Sequence, residues 1–257
     1  MIKVYELARD MRVQLSCASA PLSVALEREV EDVWSGELKR RGSSLYNGKI
    51  LSVDQVLSDL VSCSLTEYRR LAVQRLRPEL FCDLNVRALA VSDMLFCKDG
   101  LVIGLRSSRN TQDQGLWELV PSGGIDPDSR GVTDAWSAVC EEPKAFVSVD
   151  YLAQLKDELR EEVGIDWSHI GSYETICLVE DLVEHVVDIV IRLNAPKLTI
   201  SDIQNTHSRS GSAEYSRLTV LPTGAQANLE LSLFYDLTPV SQFLLERYPL
   251  AAIESSG

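Results

Sequence analysis

The sequence predicts an α/β protein: an α/β/α sandwich around a mixed sheet, preceded by a small α+β region. Three observations predict it. From about residue 85 the chain turns to β-branched and apolar runs separated by turn residues. A strongly helical stretch, 150–163, follows them, and beyond it come further strand-like runs and a closing helix. Strands, a helix, strands and a helix in that order fit helices packed on the faces of one sheet. The expected division is 1–84 for the N-terminal region and 85–257 for the sandwich domain.

The elements follow from local signals. Residues 20–41 place Val24, Glu27, Val30, Glu31 and Trp34 in a helical rhythm, with Gly42 as the stop. KILSV (49–53) reads as a short strand, and 65–77 as a helix opened by Thr66 and ended by Pro78. VRALAVSDMLFC (86–97) and GLVIGLRSS (100–108) flank Lys98-Asp99-Gly100, a hairpin signal. LWELVPSGG (116–124) reads as a strand ending in a glycine pair, and PDSRGVTDAWSAVCEEPK as a loop. After the helix at 150–163, closed by Gly164, EHVVDIVIRLNA (184–195) and RLTVLP (217–222) read as strands. TPVSQFLLERY (238–248) reads as the last helix.

Composition excludes several classes. The chain has 257 residues, 25 Lys and Arg against 38 Asp and Glu, a net charge of −13 and 45% hydrophobic residues. That is the mix of a folded chain with a real core, not of a disordered one. Nucleic-acid backbone binding needs clustered Lys and Arg, and no such block occurs, so no nucleic-acid partner is expected. No stretch reaches the roughly 18 consecutive apolar residues of a spanning helix, and the N-terminus lacks a signal-peptide core. No membrane partner is expected, and a cytoplasmic location is. The six cysteines include no CxxC, so reduced and mostly buried thiols are expected rather than zinc ligands or disulfides.

Most of the chemistry lies in Asp157-Glu158-Leu159-Arg160-Glu161-Glu162-Val163-Gly164-Ile165. At about 100° per residue, Glu158, Glu161 and Glu162 share one helix face about 100° wide, and Leu152, Leu155, Leu159 and Val163 form a neighbouring apolar face. Like charges at this spacing repel. A hard, oxygen-preferring cation such as Mg²⁺ or Mn²⁺ turns that repulsion into ligation, whereas a solvated acidic face is the ordinary alternative. Upstream, Pro121-Ser122-Gly123-Gly124 ends a strand where backbone can approach a metal or phosphate closely.

These residues resemble the box of the Nudix hydrolase superfamily, G-x5-E-x7-R-E-U-x-E-E-x-G-U with U bulky and apolar. Glu158, Leu159, Glu161, Glu162, Gly164 and Ile165 match its second half, and Gly124 its opening glycine. Two departures stand out. Asp157 occupies the Arg position. Gly124 and Asp157 are 33 positions apart where the pattern sets 14, an insertion of 19, which puts Val149, next to Asp150, at the first box Glu. A long insertion with a missing Arg is similar to an atypical branch of the superfamily that hydrolyses UDP-glucose or UDP-galactose to UMP and sugar 1-phosphate. The likeness extends to VWSGELKRRGSSLYNGKI, LTEYRRL and LVIGLRSSRNTQDQGLWELVPSGGIDP, and so to most of the chain.

The resemblance implies a metal-dependent pyrophosphohydrolase of nucleoside diphosphate sugars with a Nudix-like fold and Mg²⁺, or Mn²⁺, as cofactor. Glu158 and Glu162 are the implied metal ligands with the Gly123 carbonyl, and Glu161 is a third ligand or a helper of the attacking water. These three glutamates form the catalytic set. Asp157 cannot orient a ligating Glu as the family's Arg does, and Arg160, on the far side of the helix, is a weak replacement. Glu161, Glu180, Glu184 and Glu214 are all open as general base. Arg106, Arg109, Arg192 and Gly124 form the expected substrate-binding set. Arg106 and Arg109 follow a strand near the expected site, and Arg192 sits in an otherwise apolar strand, where an inward Arg is normally paired with acid or phosphate. Trp117 reads as core rather than as a base-stacking ring. His169, His185 and His207 receive no role. Many members of the superfamily dimerise, so a homodimer is a further expectation. Two other readings stay open: hydrolysis of ADP-ribose, NADH, CoA or another nucleoside diphosphate derivative, and a non-catalytic nucleotide-binding module.

Overall fold

The computed structural model describes residues 1–8, 10–42, 45–110, 112–142, 145–223 and 235–248. In chain order these form β1 (Ile2–Glu6), β2 (Arg12–Ala18), α1 (Val24–Arg41), β3 (Lys49–Val56), β4 (Leu60–Glu67), α2 (Tyr68–Leu76), α3 (Phe81–Leu84), β5 (Ala88–Cys97) and β6 (Gly100–Arg106). They continue with β7 (Trp117–Leu119), β8 (Ser122–Gly124), α4 (Val132–Val139), β9 (Val147–Ser148), α5 (Tyr151–Glu158), β10 (Ser172–Asp181), β11 (Val186–Ala195), α6 (Ile200–Ser210), β12 (Tyr215–Leu221) and α7 (Pro239–Arg247). This is the expected α/β sandwich with a mixed sheet.

β5 organises the sheet. It runs parallel to β11 from Ala88↔Val186 to Cys97↔Ala195, and antiparallel to β8 and, through the Asp99-Gly100 turn, to β6. The main path runs β1-β10-β11-β5-β3-β4-β2-β9, with β12, β6 and β7 forming a branch. Both faces of β5 are covered, which is why it reads as a near-continuous apolar run. Leu89, Val91 and Leu95 enter one core with Leu155, Leu159 and Val163 of the α5 segment, Trp136 of α4 and Ile203 of α6. Met94 and Phe96 enter a second core with Leu244 and Leu245 of α7. A third cluster, built on Val30, Trp34 and Leu71, packs α1, α2 and α3. The stretches 1–84 and 85–257 share the sheet: β1 pairs with β10, β9 with β2, and β3 meets β5 at Ser52↔Ala88.

Several local expectations need correction. The chain at 65–67 is strand, because Thr66 pairs with Ile50 across β3–β4, so the helix opens at Tyr68 and not at Thr66. The stretch 116–124 is two short strands separated by a cis Val120-Pro121 bond. The inserted segment expected as loop carries α4, whose Val132 and Trp136 stand one turn apart and are buried. β1, β2, β4, β10 and α6 had no counterpart among the expected elements. The six cysteines are free, but Cys17, Cys82 and Cys140 are exposed, so burial holds for only Cys63, Cys97 and Cys177. No helix among the described residues is long and apolar enough to cross a membrane.

Candidate functional site

α5 begins at Asp150, whose carboxylate accepts from Ala153 N, and runs into a wider π turn over Leu159–Val163. Gly164 ends it at φ 81°, with its N–H on the Leu159 carbonyl. A wider turn rotates less per residue than an α-helix, and such turns recur at functional sites. Here it separates the three glutamates. Glu162 is 4% exposed, Glu158 is half-buried, and Glu161 stands in solvent.

Glu158 and Glu162 grip the β8 segment. The Glu158 carboxylate lies against the backbone of Gly123, where only a residue without Cβ leaves room. Gln154, one turn earlier, donates to Glu158 Oε1 at 2.6 Å. Ser122 N donates to Glu162 Oε2 at 3.0 Å. The Tyr215 hydroxyl donates to Glu118 Oε1 at 2.9 Å and stands 3.4 Å from Glu162 Oε2. Arg106 pairs with Glu118 and reaches Glu214 at 3.4 Å. The site thus draws on β5, β6, β7, β8, the α5 segment and the start of β12.

The electrostatics are dominated by crowded, desolvated carboxylates. Burial pushes Glu158 up to about 7, against the Gln154 hydrogen bond, with the Glu161, Glu214 and Asp157 charges adding to the rise. Burial also lifts Glu118 to about 7, although Arg106 and Tyr215 oppose it. Glu162 is held well above the usual carboxylate range by burial and then by the charges of Glu214 and Glu158. Asp93, fully buried on β5, is raised in the same way by burial and by Glu158, and among the described residues neither of its oxygens has a hydrogen-bond partner.

A cleft of about 410 Å³ opens along the other side of β8. Ser92, Ser122, Gly123, Gly124 and Asp188 line it near β5, with Glu118, Arg106 and Glu214 at the acid cluster. Asp188 accepts from the Ser92 hydroxyl at 2.9 Å and is raised by burial to about 6. Farther out the lining includes Arg75, Gln112 and Glu184, tied together by Gln112 Nε2 on Glu184 Oε2 at 2.5 Å and Arg75 Nε at 3.2 Å.

The expected residues fall into two groups. Glu158, Glu162, Gly123, Gly124 and Arg106 come together at β8. Arg109 is exposed. Arg192 lies on β11 four residues beyond Asp188, about 13 Å along the strand, with its guanidinium 5.7 Å from the Phe96 ring and Nε unpartnered. It does not line the cleft. Of the open general-base positions, Glu180 is taken up by Arg87 and Tyr5, Glu184 sits at the outer cleft, and Glu214 alone reaches both Arg106 and the acid cluster. Asp157 binds Arg130 and Arg160 instead of orienting Glu158. Trp117 is core, packed edge-on against Tyr235. Glu118, Asp93, Gln154, Tyr215 and Asp188 were not anticipated. A lone acid inside an apolar strand, as in LWELV, LAVSDMLF and VVDIVI, was the available signal for three of them.

The donor set fits a hard divalent cation: it is all oxygen, carries more acids than Arg106 can balance, and includes a buried carboxylate with no partner. Among the described residues no three acid, His or Cys side chains converge as a ready-made cage. A cation that keeps several of its waters does not require one.

No protein-family model and no curated protein matches the chain. Among solved structures it is similar to DR0079 of Deinococcus radiodurans, at 13% identity over 77% of this chain and 98% of that one, with a TM-score of 0.44.

Proposed function

We propose that this chain is a divalent-cation-dependent pyrophosphohydrolase of Nudix type, acting on nucleoside diphosphate sugars and converting UDP-glucose or UDP-galactose to UMP and sugar 1-phosphate. The observation that carries the reading is the seat of Glu158 on Gly123, with Glu162 fixed by Ser122 N on the same short strand. It brings two glutamates of the matched half-box onto Ser122 and Gly123, across the inserted segment.

Mg²⁺, or Mn²⁺, when bound supplies Lewis-acid neutralisation of the diphosphate. The protein groups do the rest. Glu158 and Glu162 hold the cation, and Gln154 orients Glu158 in place of the family's Arg. Arg106, already at the acid cluster and lining the cleft, receives phosphate oxygens. Glu214, beside Arg106, accepts the proton of the attacking water. Water adds to phosphorus, the bridging P–O bond breaks, and the two phosphate products leave through the cleft. A cytoplasmic location and a homodimer belong to the same proposal.

Product analysis with UDP-glucose and ADP-ribose side by side, with and without Mg²⁺, tests it. UMP and glucose 1-phosphate forming only with Mg²⁺ is the expected result. Faster turnover of ADP-ribose moves the substrate class within the same chemistry. Binding of either nucleotide with no turnover at any Mg²⁺ concentration identifies a ligand-binding module and overturns the proposal.

A further inference from the structure

Asp93 is the group the site leaves unexplained. It is 0% exposed, and both carboxylate oxygens lack a hydrogen-bond donor among the described residues. Buried polar atoms are almost always satisfied, and an exception calls for a physical cause. Asp188, the other buried acid at the β5–β11 seam, shows the ordinary solution: a hydroxyl, that of Ser92, bonded at 2.9 Å. Asp93 has no such partner among the described residues.

Its position is not incidental. Asp93 N donates to the Pro121 carbonyl at 3.0 Å, one residue before Ser122, whose own N–H holds Glu162. Alternation along β5 puts the Asp93 side chain on the face of Leu89, Val91 and Leu95. That face packs on the α5 segment, from which Glu158 and Glu162 project. Asp93, Glu158 and Glu162 therefore lie between the same strand and the same helical segment. Arg106, the cation of the acid cluster, is committed to Glu118 and Glu214.

We infer that Asp93 is a third carboxylate of the cation site, set in the strand behind Glu158 and left without a protein donor because its partner is the divalent ion. The inference rests on the cation site proposed above and adds to it a ligand from outside the helical motif. An isolated carboxylate buried this deeply is costly. A cation shared with Glu158 and Glu162 removes that cost, and a hydroxyl in its place would compete for the oxygens.

Mn²⁺ binding to the metal-free full-length protein, followed by electron paramagnetic resonance, tests it without reference to turnover. Wild type, Asp93→Asn and Asp188→Asn are compared, with circular dichroism as the check on folding. The expected result is at least a tenfold weakening of Mn²⁺ affinity in D93N and none in D188N. The D93N protein should also melt higher than wild type when metal-free and gain less from added Mn²⁺. Unchanged Mn²⁺ affinity in D93N, with wild type binding normally, overturns this inference alone. Failure of wild type to bind Mn²⁺ overturns the cation site itself. Asp93→Ser, which leaves room for water, carries the same test if the amide disrupts folding.

Discussion

Glu158 occupies the space in which a side chain on Gly123 would begin. A Cβ at Gly123 would lie 3.0 Å from Glu158 Cγ and closer still to its carboxylate. The glycine therefore makes room for the seat of Glu158 rather than for a turn. Gly123→Ala should push Glu158 off β8, lowering both Mn²⁺ affinity and kcat/KM by about tenfold or more. Gly124→Ala, where a Cβ meets open space, should change either by less than about twofold. Equal effects of the two substitutions would show that the contact is idle.

Among the described residues, Gln154 supplies the one side-chain hydrogen bond to Glu158, at 2.6 Å. Gln154→Leu keeps the volume and removes the donor. A hydrogen bond to a charged group contributes about 1.5–3 kcal/mol, so kcat/KM should fall by about tenfold or more with the melting temperature little changed. An unaltered kcat/KM would assign the orientation of Glu158 to some other group.

Arg106 balances Glu118 and Glu214 at the inner end of the cleft. Removing one partner of a buried ion pair leaves uncompensated charge and costs about 3 kcal/mol or more. Arg106→Leu should lose that much stability in chemical denaturation of the metal-free protein, recover part of it with Mg²⁺, and raise KM for UDP-glucose about tenfold. Arg109→Ala and Arg192→Ala, whose side chains lie outside the cleft lining, should leave KM within about twofold. A larger KM effect at Arg192 than at Arg106 would invert this assignment.

The raised carboxylates give the metal-free protein an unusual pH dependence. Glu158 and Glu118 stand at about 7 in the fold against an ordinary 4.5. Between those values the folded chain holds more protons than the unfolded one, so stability falls as pH rises through the interval and is lowest above 7. Each acid contributes on the order of 3 kcal/mol to that difference. Metal-free wild type should melt several degrees higher at pH 5 than at pH 7.5, and Glu158→Gln should shrink the gap. Mg²⁺ should stabilise the protein at pH 7.5 and much less at pH 5. A melting temperature that rises from pH 5 to 7.5 without cation contradicts this assignment.

What was legible in the sequence follows chain proximity. Asp99-Gly100 announces the β5–β6 turn, and Gly164 the end of the acidic helix. The Val132 and Trp136 spacing in the inserted segment announces α4 as well, although its Gly-, Ser- and Asp-rich flanks read as loop. β10 was hidden because its alternation is broken by a bulge between Thr175 and Cys177. Within the site, Glu158 and Glu162 match the half-box and Gly123 directly precedes its opening glycine, so all three were readable from that pattern. Glu118, Asp93 and Tyr215 lie on three separate strands, and the pairings of β7 and β12 with β6 and of β8 with β5 bring them together. An acid in an apolar strand marks burial but not its company. Arg192 shows this, since the same kind of signal led to a side chain beside Phe96 and outside the cleft.

The most direct measurement is turnover of UDP-glucose with Mg²⁺ by wild type and by Glu162→Gln. Glu162 is buried and anchored by Ser122 N, so the amide fits the same space. Wild type should release UMP and glucose 1-phosphate and stop when the cation is chelated. The Gln variant should keep its circular dichroism and lose turnover by at least about a hundredfold. A folded Glu162→Gln protein with full activity, or wild-type turnover that persists in chelator, would contradict the assignment of these carboxylates to a catalytic cation.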